Sequence, residues 1–514
     1  MSKQKTASID NTPWAHPFLT TNNIKRFRSY SEKIWDIALS NEATGIRPLN
    51  CAFSVNMAQN MYKWAKLAGK YNADATLYLN PQDQSAISKP EWEEFSGEFS
   101  DVLDGKGFLE ENVGLILYAK VIQPENEGGE LWAAYQDELP MYSWRRWVKK
   151  IVASISPEHG LTLYSSPAAK ELKKQSPSVR HYSLIHYQGA YPYFRWAKLL
   201  ADHDVIYIAS TPFPAYASGK PYCICPVGGD LQFDCGRTDD HGETMRLAFS
   251  EATFIFASNP HVLGHCRRLG FTNALYLPYP MDSDHYCPGE GRARNEWKDR
   301  FGGKIFVLTT ARIDSRVKGQ DDDFFDMLAK ISRDRSDVRF IFLGWGNDAD
   351  NFNERVSRLQ LHDRLIMLSP VGKQRLLDYY RSCDIVLDQF VYGYFGATAL
   401  EAASVGKPII MNQRIEQYAP LYSNDVAPVL NASNHKEIRD HLYSLIDSPK
   451  LRDNVGSALR NWLIRNHGEQ RTVPLMLALL QLAADKAVLP KHLDNPLQDP
   501  LTATEHEYHI RCHQ

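Results

Sequence analysis

GYFGATALEAASVGKPIIM, residues 393–411, reads as a glycine-bearing turn, a short helix and a buried strand. The apolar run Ile385–Leu387 before it has the character of a parallel strand covered on both faces, ending at Asp388 and Gln389. Gly393 and Gly396 let the backbone approach a ligand without obstruction by a Cβ, and the small, Ala-rich run 397–405 has the composition of a helix. A helix starting at Gly396 and Ala397 points unpaired N–H groups at the carboxyl end of the strand, where an anion or a polar sugar edge is held. Glu401 lies one turn further in, placed to accept two hydroxyls of a ribose. Gly406, Lys407 and Pro408 stop the helix ahead of the strand 409–411.

This pattern resembles the signature of the retaining glycosyltransferases of family 4, which have the GT-B fold. That signature runs Glu, any residue, Phe, Gly, four residues, Glu, Ala, two residues, a small residue and Gly-x-Pro. Phe395, Gly396, Glu401, Ala402, Gly406 and Pro408 match it. Gly393 stands where the family carries its first glutamate, and Asp388-Gln389 replaces the usual Pro-Ser. Asp388 and Tyr392 are the side chains at hand to take over from that carboxylate.

Upstream, a second match surrounds the apolar run 305–308, which is followed by Thr310-Ala311-Arg312-Ile313-Asp314-Ser315-Arg316-Val317-Lys318-Gly319. The resemblance places Arg312 and Lys318 on the donor diphosphate. The chemistry suits them, because charge builds on the leaving diphosphate as the anomeric bond breaks, and fixed cations stabilise it most at that moment. The turn Ser369-Pro370-Val371-Gly372 corresponds to the one that presents backbone groups to the nucleobase. Donor contacts are therefore expected at Glu401, Phe395, Gly396, Ala397, Gly393 and Val371. Two similar-looking features are set aside: Gly344-Trp345-Gly346 lacks the third glycine of a dinucleotide motif, and Asp321-Asp322-Asp323 precedes an apolar run as a helix start does.

The first half matches more diffusely. Strand-like runs at 51–55, 75–79, 182–186, 205–209, 221–226 and 253–257 alternate with helix-compatible segments. Asn56, before the first helix, is read either as a cap or as a ligand contact. Gly229 and Asp230 follow the strand 221–226, with Asp230 read as a hydroxyl ligand or a turn cap; His186 ends another strand and is a sugar or structural histidine. The helix 144–155 sets tryptophans and aliphatics opposite Arg145, Arg146, Lys149 and Lys150, as in a membrane-surface helix or an ordinary core-facing one.

The expected organisation is α/β, with two Rossmann-like doubly wound parallel-sheet domains facing a cleft: an extension (1–48), an acceptor domain (49–298), a donor domain (299–485) and a polar tail (486–514). A net charge of −3 argues against nucleic acid, and eight cysteines at irregular spacing against a disulfide framework. No metal and no cofactor beyond the nucleotide-sugar substrate are expected. With neither a leader nor an apolar span in the sequence, a cytoplasmic enzyme is expected, associated with the inner membrane face if the helix 144–155 lies there. The expected reaction moves a sugar from a nucleoside-diphosphate sugar to a hydroxyl of a glycan or lipid-linked acceptor with retention. Two alternatives share the fold: a nucleotide-sugar epimerase, and a silent scaffold suggested by Gly393 and the missing donor-sugar histidine.

Overall fold

The structure, a computed structural model, describes residues 48–56, 60–71, 73–79, 86–98, 120–122, 199–237 and 240–485. His186 with its strand, the basic helix 144–155, the extension 1–47 and the polar tail lie outside the described residues.

The chain divides into two compact units. In chain order the first elements are β1 (Asn50–Ser54), α1 (Asn60–Lys70), β2 (Asp74–Tyr78), α2 (Glu91–Glu94), β3 (Lys120–Ile122), β4 (Val205–Ala209), α3 (Phe213–Ser218) and β5 (Tyr222–Cys225). After a π-helical turn at Asp230–Asp234 come α4 (Asp240–Ser250), β6 (Phe254–Ala257), α5 (Pro260–Arg268) and β7 (Ala274–Tyr276). The strands of this unit form one parallel sheet in the order β3-β2-β1-β4-β5-β6-β7. The side chains of β1, β2 and β4–β7 are almost all buried, which explains why these strands read as continuous apolar runs.

The second unit continues with α6 (Ala293–Phe301), β8 (Ile305–Thr309), α7 (Ser315–Lys318), α8 (Asp322–Asp334), β9 (Val338–Leu343), α9 (Phe352–Leu359), β10 (Leu365–Leu368) and α10 (Lys373–Ser382). Then follow β11 (Ile385–Leu387), α11 (Ala397–Ser404), β12 (Ile409–Met411), α12 (Ile415–Tyr418), β13 (Leu430–Asn431), α13 (His435–Asp447) and α14 (Pro449–His467), while α15 (Glu469–Ala484) belongs from Thr472 onward to the first unit. Its sheet runs β10-β9-β8-β11-β12-β13, all parallel. The chain builds outward from β8 on one side and then from β11 on the other. The carboxyl ends of β8 and β11 therefore flank the switch point, where such sheets bind their ligands.

One face of this sheet is closed by a core of Phe324, Phe325, Leu328, Phe340, Phe342, Ile385, Ile438 and Leu442. Asp321 starts α8 by accepting the Phe324 N–H at 2.9 Å, so the aspartate run serves a helix start. Arg339, inside a buried strand, is tolerated because its guanidinium donates to the carbonyls of Phe301, Ser336 and Val338.

The unit boundary differs from the sequence reading. Tyr279–Arg471 and Gln84–Ile116 form the second unit, whereas the reading divided the domains at 298/299 and left residues 84–116 in the first. Two local contacts account for this. Arg294 of α6 bonds the Ser382 carbonyl and the Asp384 carboxylate, at 2.8 and 3.0 Å. Residues 92–98 pair with the start of α10, as described below.

Candidate active site

The loop after β8 is held by its own polar residues. Asp314, buried, accepts the N–H groups of Arg316 and Val317 and so starts the single turn α7. Asn347 donates to its other oxygen at 3.0 Å, and Asp348 accepts the Ser315 N–H at 2.7 Å. The Trp345 indole donates to the Thr310 carbonyl, and the Ile313 N–H to the Trp345 carbonyl. Gly346 has φ +110, and a Cβ there would meet the Ile313 carbonyl oxygen at 2.5 Å. The Gly344-Trp345-Gly346 run thus serves as a close-packed brace for the loop that carries the two cations.

Arg312 and Lys318 stand on this braced loop. Arg312 keeps 41% of its side chain exposed, with Nε 3.6 Å from Asp314 Oδ2. Lys318 ends α7 half-buried, and Gly319 follows with φ +78. The Lys318 carbonyl accepts the Phe390 N–H at 2.9 Å, and a Cβ on Gly319 would press on Phe390 at 3.1 Å. This tight approach ties the cationic loop to the segment after β11, so Lys318 lies at the switch point.

The stretch 393–411 folds as a turn, α11 and β12. Gly396 is the residue before the helix, and a Cβ at that position would meet nothing within 4 Å, so the amide end of α11 is open. Thr398 Oγ1 lies 3.0 Å from Thr310 Oγ1, which lies 2.7 Å from the Tyr380 hydroxyl. These bonds lock the start of α11 to the end of β8. Phe395 packs among Tyr418, Trp462 and His467, and its N–H donates to the Tyr418 hydroxyl. Its motif position is therefore served by a core side chain that anchors the turn.

Gly393 has φ +79, and a Cβ there would meet Arg414 Cγ at 2.6 Å. Its N–H and that of Tyr392 are both held by Gln389 Oε1. The turn is thus built around glycine and has no room for the family's first glutamate. Tyr392 is exposed, whereas Asp388 is buried.

Glu401 is 1% exposed and forms an ion pair with Lys373 Nζ at 2.5 Å. Lys373 opens α10 and is buried, with its ammonium 4.7 Å from the centre of the Trp92 ring. The Trp92 indole donates to the Val371 carbonyl at 3.3 Å, the Gly372 N–H to the Gly97 carbonyl at 3.0 Å, and the Gln374 N–H to the Phe95 carbonyl at 3.1 Å. A Cβ on Gly372 would meet the Phe95 carbonyl oxygen at 2.1 Å. The backbone groups around Val371 are therefore engaged by residues 92–98, a contact absent from the sequence reading.

In the first unit, Asn56 is buried and its Oδ1 accepts the Tyr62 N–H at 2.8 Å, closing the first turn of α1. Asp230 is buried and accepts the N–H groups of Val227, Gly228 and Leu231, so its carboxylate caps the turn that contains Gly229. Burial outweighs those bonds and raises its pKa to about 6. Among the described residues no cluster of His, Cys, Asp and Glu is arranged to hold a metal, and no helix is long and apolar enough to cross a membrane.

Asp314 could have been found from sequence as an N-cap at the head of a short helix. Lys373 left a subtler signal, since a lysine in the first turn of a helix opposes the macrodipole and needs a partner. Trp92 left none.

The sequence of this unit has known counterparts. Residues 292–462 match the family Glycosyl transferases group 1. The chain is 26% identical over 193 residues to a D-inositol 3-phosphate glycosyltransferase of Pseudarthrobacter chlorophenolicus, covering 36% of this chain and 44% of that protein. It is 29% identical over 147 residues to a mannosylfructose-phosphate synthase of Agrobacterium fabrum, covering 26% and 31%. The chain thus spans less than half the length of these curated relatives. Among solved structures, Anabaena HepE in complex with UDP and glucose aligns at TM-score 0.52 and 14% identity, over 86% of this chain and all of that one. A sucrose-phosphate synthase from Thermosynechococcus elongatus aligns at 0.51 and 12%, with the same coverage. Together with two Rossmann-like parallel sheets, these neighbours give the chain the GT-B fold.

Proposed function

We propose that this glycosyl transferases group 1 domain serves a retaining glycosyltransferase, which moves a sugar from a nucleoside-diphosphate sugar to a hydroxyl of a glycan or lipid-linked acceptor. The observation that carries the reading is that Arg312 and Lys318 stand on a braced loop after β8, whose first residue Thr310 is bonded to Thr398 in the open first turn of α11. The UDP held by HepE, a relative in fold, is a ligand of the class this site suits.

The donor diphosphate lies on Arg312 and Lys318, with the amides near Gly396 and Ala397 assisting. Glu401 takes the ribose hydroxyls. Lys373 pairs with the Glu401 carboxylate and fixes its orientation. The base lies against the Val371 turn, whose position Trp92 sets. As the bond from the anomeric carbon to the phosphate oxygen breaks, the acceptor oxygen attacks the same face and its proton passes to the departing diphosphate. The two cations supply the charge stabilisation, and the reaction runs without a metal.

The test is a panel of UDP-, GDP- and ADP-sugars incubated with and without an acceptor extract. Free nucleoside diphosphate is quantified, and the anomeric proton coupling of the product is read by NMR. Acceptor-dependent release with the donor's anomeric configuration is expected. Conversion of the donor sugar without release would instead identify an epimerase, and an inverted product would refute retention.

A further inference from the structure

Asp388 follows β11, at the point where the sheet order turns away from β8. It is 1% exposed, and neither of its carboxylate oxygens has a hydrogen-bond partner among the described residues. Its backbone is ordinary, the N–H donating to the Ile410 carbonyl at 3.2 Å as a continuation of the ladder to β12. Buried polar side chains are nearly always partnered, so an orphaned carboxyl at a ligand crevice calls for a ligand-side explanation.

Its neighbours limit what that explanation can be. Lys318, from α7, is the cation that acts on Asp388. From α10 comes Tyr380, whose hydroxyl is tied to Thr310 and feels both Asp388 and Glu401 of α11. Desolvation raises the Asp388 pKa, and Lys318 opposes that rise. A diphosphate arriving on Lys318 takes up that cation's charge and adds negative charge beside the buried carboxyl. A buried carboxylate and an anion beside it repel strongly unless one is neutralised. A protonated carboxyl solves both problems, because its O–H is a donor and a phosphate oxygen is the acceptor it lacks.

We propose that Asp388 takes up a proton when the donor diphosphate binds and, as a carboxylic acid, donates a hydrogen bond to a phosphate oxygen held by Lys318. This rests on the donor reading of the site given above. No covalent bond changes in the step: the proton comes from the buffer on binding and returns to it when the nucleoside diphosphate leaves. Asp388 thereby stands in place of the absent first carboxylate of the motif with opposite chemistry, as a donor to the phosphate.

The experiment is calorimetric titration of the full chain with UDP, GDP and ADP near neutral pH, in two buffers of different ionisation enthalpy. Wild type is expected to take up more than about half a proton per nucleotide bound. Asp388→Asn, which keeps an N–H donor, is expected to bind within about threefold of wild type with no proton uptake, and Asp388→Leu at least about tenfold more weakly. Buffer-independent binding heats in wild type, or proton uptake that persists in Asp388→Asn, would overturn the proposal. The wild-type measurement decides even if the variants fail to fold. Failure of every nucleoside diphosphate to bind would be a different result, removing the donor reading and this inference together.

Discussion

At the scale of single residues, Gly393 shows how a motif can lose a functional side chain and keep its geometry. Its φ of +79 and the Arg414 side chain beside it exclude a Cβ. Gly393→Glu is therefore expected to lower stability by about 1–2 kcal/mol, read by chemical denaturation, without raising turnover. A stable, more active variant would show that the turn can still accept the carboxylate. Asp230 gives a pH signature. Its carboxyl titrates at about 6 when folded and near 4 when unfolded. Ionising it thus costs stability above pH 6, and that cost disappears as the pH falls toward 4 and the folded carboxyl takes up its proton first. Asp230→Asn is expected to flatten this part of the stability profile, and an unchanged profile would assign the pH dependence elsewhere. Sequence could single out Gly396, Arg312, Lys318 and Glu401 because each stands at a motif position beyond a strand end. It offered Asp388 only as a stand-in for the missing carboxylate and left Lys373 unassigned, because the surroundings that set both side chains apart are recorded by no spacing.

At the scale of elements, β8, β11 and β12 of the second unit were legible, β11 and β12 with the same ends as their apolar runs, whereas the two-residue β13 was not read as a strand. Full burial of a parallel sheet writes itself into sequence as an unbroken apolar run. The segment 86–98 was not legible, since it docks through its backbone and Trp92 on residues distant in the chain. The buried pair that joins α10 to α11 is the most consequential contact of this kind. Removing one partner from a buried ion pair leaves an uncompensated charge, so Lys373→Met and Glu401→Gln are each expected to cost about 3–5 kcal/mol in denaturant unfolding. The double variant is expected to recover much of that loss, because it leaves no buried charge alone. Strictly additive losses would mean that the two side chains are not coupled. In the core below, Phe340→Ala is expected to cost about 3–5 kcal/mol by opening a cavity beneath α8.

At the scale of the whole molecule, the chain is two parallel-sheet units, and the proposed donor chemistry draws on residues of the second. The GT-B fold runs through both sheets, while the family match covers residues 292–462. That contrast has a physical basis. A diphosphate imposes cations, amides and glycines at set places, whereas a sheet needs only apolar strands in sequence. The account stands or falls on where the diphosphate binds. The most direct measurement compares the affinities of nucleoside diphosphates and monophosphates for wild type and Lys318→Ala. Wild type is expected to prefer the diphosphate, and the variant to lose about 2–3 kcal/mol of diphosphate binding while holding the monophosphate unchanged. A variant that keeps the full diphosphate preference would contradict the placement of the donor on Lys318.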